Sequence, residues 1–142
     1  AHFMGNPPMN FIDAEITNDN GKLYLHSDEF HVVIREDMEG YLKEAIGKKV
    51  VLGVRSHQVD VVFENKESYI PVHVRMVENL GKEIMISGYV GNAFVRITLP
   101  DQMDAESKEM TELFYKQEGT LYIGLSSAYN VFDKETGVNL TY

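Results

Sequence analysis

The chain has 142 residues, of which 44% are hydrophobic, and this is enough for one domain with a buried core. It contains no Cys, which excludes disulfide bonds and thiolate metal sites and fits a reducing compartment. The net charge of −9 repels phosphate backbones, so we expect no nucleic-acid partner. No apolar stretch approaches the roughly 20 residues of a membrane-spanning helix, and the sequence therefore predicts a soluble domain.

The first part of the chain predicts a hairpin, a third strand and one helix. Residues 11–17 lead into Asn18-Asp19-Asn20-Gly21, whose Asn-Gly pair favours the positive φ angles of a tight turn, and residues 22–26 return from it. A third strand is expected at residues 30–34. Apolar residues then recur at the spacing of a short amphipathic helix. The residues of this apolar face are Met38, Tyr41, Leu42, Ala45 and Ile46.

The rest of the chain is again mostly strand. We expect strands at residues 50–55, 59–64, 70–78, 83–90, 93–99, 121–125 and 130–132. Many short strands at this spacing favour a closed or partly open barrel. Residues 100–119 are ambiguous, because their apolar residues fit one face of a helix whose other face is acidic. The predicted fold is mainly β, with short antiparallel strands and one or two short helices, and residues 1–142 are interpreted as a single domain.

The motifs indicate no catalytic or metal site. The residues after the Asn18 turn are strand-like, which favours a turn over a calcium loop, and the five His residues lack the spacing that gathers zinc. Residues 124–128 lack the second Gly of a nucleophile elbow. The acidic residues at 101–112 are expected to be solvated. No Gly-x-x-x-x-Gly-Lys-Ser/Thr run occurs, so we expect that the chain is not an enzyme and neither binds nor hydrolyses ATP.

Four short runs follow one another along the chain. They are residues 5–11 (Gly-Asn-Pro-Pro-Met-Asn-Phe), 52–55 (Leu-Gly-Val-Arg), 77–83 (Val-Glu-Asn-Leu-Gly-Lys-Glu) and 130–140 (Asn-Val-Phe-Asp-Lys-Glu-Thr-Gly-Val-Asn-Leu). In this order they resemble the C-terminal regulatory portion of the ATP-binding subunits of bacterial carbohydrate ABC importers. This portion is the transport-associated OB-fold (TOBE) type of domain. The resemblance implies an OB-fold-like barrel and spans residues 5–140.

Each run has a counterpart in that family. The first looks like the junction between the nucleotide-binding domain and the first strand, with Pro7-Pro8 as a stiff exit. The second is similar to a strand that the family commonly continues with Pro-Glu, where this chain has Ser56-His57. The third looks like the signature turn, in which Gly81 supplies a conformation that other residues reach only with strain. In the fourth, the resemblance implies that Phe132 packs under a final turn.

The resemblance implies a non-catalytic regulatory and dimerisation role that couples subunit association to transport. It places this chain as the C-terminal part of a longer ATPase subunit, cytoplasmic and peripheral to the inner face of the membrane. The implied partners are its own N-terminal ATPase domain, a second copy of the subunit, the membrane permease subunits and a regulatory protein. No cofactor is expected in this chain, whereas ATP and Mg are implied for the missing ATPase domain.

Because the resemblance implies contact with a second copy of the domain, the loops around residues 78–83 and 56–60 are predicted to face partners rather than a substrate. The candidate contact residues are Glu78, Asn79, Gly81, Glu83, Arg55 and His57. The alternative function is a small-ligand sensor for a sugar or an oxyanion, since barrel mouths are common pocket sites. The acidity of the chain argues against an anion. A sugar would use aromatic faces, for which the candidates are Tyr24, Tyr41, Tyr69, Tyr89 and Tyr122.

Overall fold

The structure, a computed structural model, describes residues 9–100, 119–125 and 129–141. The predicted Pro7-Pro8 junction, the acidic residues of the ambiguous segment 101–118 and the Ser126-Ser127-Ala128 stretch lie outside the described residues.

Ten strands and one α-helix are present in the described part of the chain. The strands are β1 (Met9–Asp19), β2 (Lys22–His26), β3 (His31–Val33), β4 (Lys49–Arg55), β5 (Asp60–Val62), β6 (Ile70–Asn79), β7 (Glu83–Val90), β8 (Ala93–Pro100), β9 (Thr120–Gly124) and β10 (Asn130–Asp133). The helix α1 (Glu36–Leu42) continues into a 3-10 turn, Lys43–Ala45. These elements confirm the predicted mainly β, OB-fold-like architecture, although β5 is shorter than predicted.

The strands form two antiparallel sheets of five. Their orders are β10-β4-β1-β2-β3 and β5-β9-β6-β7-β8. Apolar side chains alternate along the strands and bury one face, for example Ile12, Ala14 and Ile16 on β1. The buried faces of both sheets and the helix residues Met38 and Leu42 contribute to one continuous core. The hydrophobic pattern therefore fixes which face of each strand points inward.

The two sheets meet where the start of β1 lies beside β8. The side-chain amide of Asn10 accepts a hydrogen bond from the Arg96 backbone N–H at 2.8 Å and donates one to the Arg96 carbonyl at 2.7 Å. Next to it, the Thr98 N–H donates to the Ser56 carbonyl at 2.9 Å. These contacts satisfy backbone groups on the edge of β8 that β7 does not use. We call this contact the β1–β8 seam.

The helix prediction was wrong for two residues. Tyr41 and Ile46, which were assigned to the apolar face, are 55% and 43% exposed. Tyr41 lies inside α1, where only Met38 and Leu42 are buried, so the apolar stripe of the helix is narrower than predicted. Ile46 is exposed because α1 ends at Leu42 and the chain tightens into a 3-10 turn, after which Ile46 is extended at ψ 128°. Helical spacing of 3.6 residues no longer applies beyond that point. The predicted hairpin turn is confirmed, with Asn20 at φ 53° and Gly21 at φ 87°.

The closing segment of the chain packs as the resemblance implied. Phe132 is buried and meets Phe11 edge to face, with ring centroids 6.2 Å apart. The ring lies over Gly53 of β4, where an added Cβ would sit 2.8 Å from the Phe132 Cε2 atom. The turn that follows is held by Asp133, whose carboxylate accepts the N–H groups of Glu135 and Thr136. These hydrogen bonds, first among them that from Thr136, lower the pKa of Asp133.

Replacing Asn10 by Ala is expected to destabilise the fold by about 1–3 kcal/mol, because it removes both hydrogen bonds that the seam makes to Arg96. Chemical denaturation followed by circular dichroism measures the free energy of unfolding. Asn65→Ala, at an exposed loop position, is the control and is expected to cost little. Equal stability of the two variants would contradict the role of the seam.

The carboxylate of Asp133 should make stability depend on pH. Its folded-state pKa is lowered from the usual 3.8, so its stabilisation is present above pH 3.8 and is lost as the pH falls through the folded value. Asp133→Asn keeps a neutral acceptor and removes the charge. We therefore expect wild type to be more stable than this variant near pH 7, with the difference disappearing below pH 3.8. A stability difference between wild type and Asp133→Asn that stays constant from pH 7 to pH 2 would refute the role of the Asp133 charge.

Candidate interaction surface

The turn between β6 and β7 is ordered by its own polar groups. The Leu80 N–H donates to the Glu83 carbonyl and the Gly81 N–H donates to the Asn79 side chain, both at 2.9 Å. Gly81 has φ +95°, which confirms the expected need for glycine at this position. Glu78, Asn79, Gly81 and Glu83 are all exposed. The turn therefore presents acidic groups on a backbone that is fixed before any partner binds.

The loop between β4 and β5 is anchored at one residue and exposed at the next. The Ser56 carbonyl belongs to the seam, and the Gln58 N–H donates to the Arg55 carbonyl at 3.1 Å. His57 is exposed, whereas Arg55 is half-buried at the end of β4. Of these two predicted contact residues, His57 is thus the better presented.

The structure brings the two predicted loops to the same end of β8. On one side, β7 pairs Glu83 with Pro100 and Met85 with Thr98. On the other side, Thr98 bonds to Ser56 of the β4–β5 loop. The six predicted residues are thus distributed around one end of the second sheet. We call the β6–β7 turn together with the β4–β5 loop the hairpin-end surface.

A neighbouring apolar face was not predicted from the sequence. Tyr89 and Phe94 pair across β7 and β8 with ring centroids 5.5 Å apart, and the Arg96 guanidinium lies 5.4 Å from the Phe94 centroid. A change of register between Val74 and Met76 leaves Met76 54% exposed. The outward positions of β8 alternate with buried Val95, Ile97 and Leu99, and Phe94 shares the outward side with the polar residues Arg96 and Thr98. One aromatic residue among polar neighbours did not indicate an exposed apolar face.

Exposed apolar side chains are concentrated on this part of the molecule. Eight large hydrophobic residues are exposed in the described ranges. Four of them belong to the β6–β7–β8 unit, namely Met76, Leu80, Tyr89 and Phe94. We call Met76, Tyr89 and Phe94 the outer face. Exposed apolar groups concentrated on one unit of a sheet are typical of a protein–protein contact.

A polar cleft of about 510 Å³ lies between β1, the β2–β3 loop and the β7–β8 turn. Its lining includes the acidic residues Asp13, Asp28 and Glu29, of which Asp13 accepts a hydrogen bond from the Lys134 ammonium at 2.9 Å. The Glu29 carboxylate is 3.9 Å from the His73 Nε2 atom at the side of the second sheet. A cleft with this lining repels anions, so its chemistry does not suit an oxyanion.

All five candidate tyrosines lie in the described part of the chain, but they do not form one group: the Tyr69 ring lies over Gly124 on the strand that carries Tyr122, whereas the other three belong to β2, α1 and β7. None of the five lines the acidic cleft. Tyr24 stacks on a His ring, and Tyr89 pairs with Phe94. The Tyr69 hydroxyl donates to Asp60, and this hydrogen bond, with some burial, raises the pKa of Tyr69. The aromatic faces therefore do not form a shared sugar site.

Within residues 9–100, 119–125 and 129–141, no group of three or more His, Asp and Glu side chains is gathered closely enough to surround a metal ion. In the same residues, no helix has the length and apolar character needed to cross a membrane.

Comparison with known proteins agrees with this architecture. Residues 5–59 match the family model of the MalK OB fold domain. The trehalose/maltose import ATP-binding protein MalK of Thermococcus litoralis is 30% identical over 96% of this chain. The oligosaccharides import ATP-binding protein MsmX of Bacillus subtilis is 30% identical over 97%. The chain spans 36% of the length of each relative and matches their C-terminal part.

A solved structure shares the fold. The cytoplasmic molybdate-binding protein ModG, with molybdate bound, superposes with a TM-score of 0.57 at 12% identity, covering 96% of this chain and 99% of ModG. At this identity the likeness concerns the arrangement of strands and not the ligand.

Proposed function

We propose a regulatory function for this chain. It carries the MalK OB-fold domain and is homologous to the C-terminal part of sugar ABC importer ATP-binding proteins. The ATPase domain of such subunits is not contained in these 142 residues, and the OB-fold portion is non-catalytic. In this proposal the domain associates with a second copy of itself and couples that association to transport. It works on the cytoplasmic side of the membrane, against the permease subunits.

The observation that carries the proposal is that the β6–β7 turn of the hairpin-end surface and the outer face belong to the same β6–β7–β8 unit. The acidic, ordered turn carries the 51% exposed Leu80, and Met76 lies on the same hairpin opposite Ser87. Tyr89 and Phe94 lie toward the β7–β8 turn at the other end of these strands. An apolar centre with a charged rim is the usual composition of a specific interface. In a symmetric pair, the same surface of both copies takes part, so each exposed residue contributes twice.

Regulation requires that this contact differ between states of the transporter. A domain pair changes ATP turnover only if its contact free energy differs between the open and closed arrangements of the ATPase halves. Coupling free energies of about 1–3 kcal/mol are typical. Exposed charge pairs contribute about 0–1 kcal/mol each, so several rim contacts together reach the lower part of that range.

Glu78 and Glu83 are expected to act through this contact and not through folding. Both side chains are exposed, so the double variant Glu78→Ala/Glu83→Ala should melt within a few degrees of wild type while its self-association changes. Sedimentation velocity over a concentration series measures the dimer dissociation constant. If this variant self-associates as wild type does, and the subunit that carries it has unchanged ATP turnover, then Glu78 and Glu83 do not act at the rim of the contact.

The apolar part of the surface is tested with a matched pair of charge insertions. Leu80→Lys should raise the dimer dissociation constant at least tenfold, which corresponds to about 1.4 kcal/mol. Ile46→Lys is the control, because Ile46 is also exposed but lies on the other sheet's helix connection. Wild type that stays monomeric at all concentrations, or two variants that behave alike, would overturn the proposed dimer surface.

Small-ligand sensing remains the alternative, with the acidic cleft as its site. Asp13, Asp28 and Glu29 favour a neutral, hydroxyl-rich ligand over an anion there. We therefore expect molybdate to leave the melting temperature unchanged. A ligand at 100 times its dissociation constant stabilises by about 2.7 kcal/mol, so a thermal-shift series detects binding readily. Stabilisation by molybdate would overturn this expectation and move oxyanion sensing ahead of dimerisation.

A further inference from the structure

Two imidazoles face each other across the short β2–β3 hairpin. His26 and His31 are directly opposite in the antiparallel register, and both are exposed. Their Nδ1 atoms are 3.1 Å apart and share a hydrogen bond. No hydrogen bond in the sheet requires these ring nitrogens, since the strands are paired through backbone groups. The pair is therefore available for a different kind of bond.

The spacing of the two nitrogens suits one metal ion. With a metal–nitrogen bond of about 2.05 Å, two cis ligands are separated by about 2.9 Å at a right angle and about 3.3 Å at the tetrahedral angle. The observed 3.1 Å lies between these values. To convert the hydrogen bond into a chelate, the rings need only turn until both lone pairs point at the same position. The ring torsion of His is soft enough to allow this.

The surroundings fix the backbone positions of the two His residues. The Ser27 hydroxyl accepts the N–H groups of Glu29 and Phe30, and the Ser27 N–H donates to the Phe30 carbonyl at 2.9 Å. This fixes the four-residue loop and with it the register of the two His residues. Tyr24 stacks on His31 with centroids 3.9 Å apart and planes 13° from parallel. Preorganised ligands lose less conformational entropy on binding.

The local charge also favours a cation. Glu15 of β1 is paired in register with His26, so a carboxylate residue lies in the same row of the sheet as the two imidazoles. Asp28 and Glu29 occupy the connecting loop. Because no third protein ligand is gathered at the pair in the described residues, water must complete the coordination.

We infer that His26 and His31 form a surface site for a divalent transition-metal ion of the imidazole-preferring class, namely Cu²⁺, Ni²⁺ or Zn²⁺. Both Nδ1 atoms bind the ion, while each Nε2–H remains directed to solvent. Neutral imidazole is a favoured ligand for these ions, and the affinity follows the order Ni²⁺ < Cu²⁺ > Zn²⁺. The site is separate from the hairpin-end surface, which belongs to the other sheet.

The test is titration of the intact chain with NiCl₂ by calorimetry. All proteins carry His2→Ala, so that the chain terminus contributes no imidazole. We expect one ion per chain, and a dissociation constant at least about tenfold higher in His26→Asn and in His31→Asn. His57→Asn and His73→Asn are matched controls, because they remove an exposed imidazole elsewhere, and they should bind as the parent does.

A second readout does not depend on variants. Cu²⁺ bound to the His2→Ala parent should give an electron paramagnetic resonance spectrum with hyperfine splitting from two equivalent nitrogens. One nitrogen, or none, would overturn the site. Equal loss of Ni²⁺ affinity in all four His variants, or no loss in His26→Asn and His31→Asn, would overturn it as well. Circular dichroism of each variant confirms that it is folded before titration.

Discussion

The side-chain amide of Asn10 holds together two sheets that are otherwise separate ladders. The Asn side chain places an N–H donor and a carbonyl acceptor at the spacing of a peptide bond, so it pairs with the N–H and carbonyl of Arg96 as a neighbouring strand would. The start of β1 is thereby fixed against β8, and Ser56 extends the contact by one more hydrogen bond to Thr98. The relative position of the two sheets, the shape of the core between them and the meeting of the two candidate loops all depend on this seam.

Local signals in the sequence predicted most of the elements. Asn20-Gly21 predicted the first hairpin because only a few residue types accept positive φ without strain, and both residues have it. Gly81 was predictable for the same reason. The helix was placed correctly at its start but not at its end, because the apolar spacing through Ile46 continues by coincidence after the backbone has changed to a 3-10 turn and then to an extended conformation.

Contacts between residues far apart in the sequence could not be predicted in this way. Nothing near Asn10 in sequence indicates that its partner is 86 residues away. The register shift beside Met76 depends on how β6 pairs with β7, and it decides which side chain becomes exposed. The His pair shows the same limit. A motif search asks for ligands on one helix, whereas His26 and His31 are brought together by a hairpin whose register is set by Ser27.

The seam also limits how the second sheet can be extended. Along β8, the outward backbone groups of Arg96 and the N–H of Thr98 are occupied, and Pro100 has no N–H to offer. An edge closed in this way is a poor template for adding a foreign strand, which protects the domain from edge-to-edge aggregation and domain swapping. Any assembly built on this side of the molecule must therefore rely on side-chain packing and not on a continued ladder. Such contacts form and separate without rupture of the sheet, as the proposed coupling role would require.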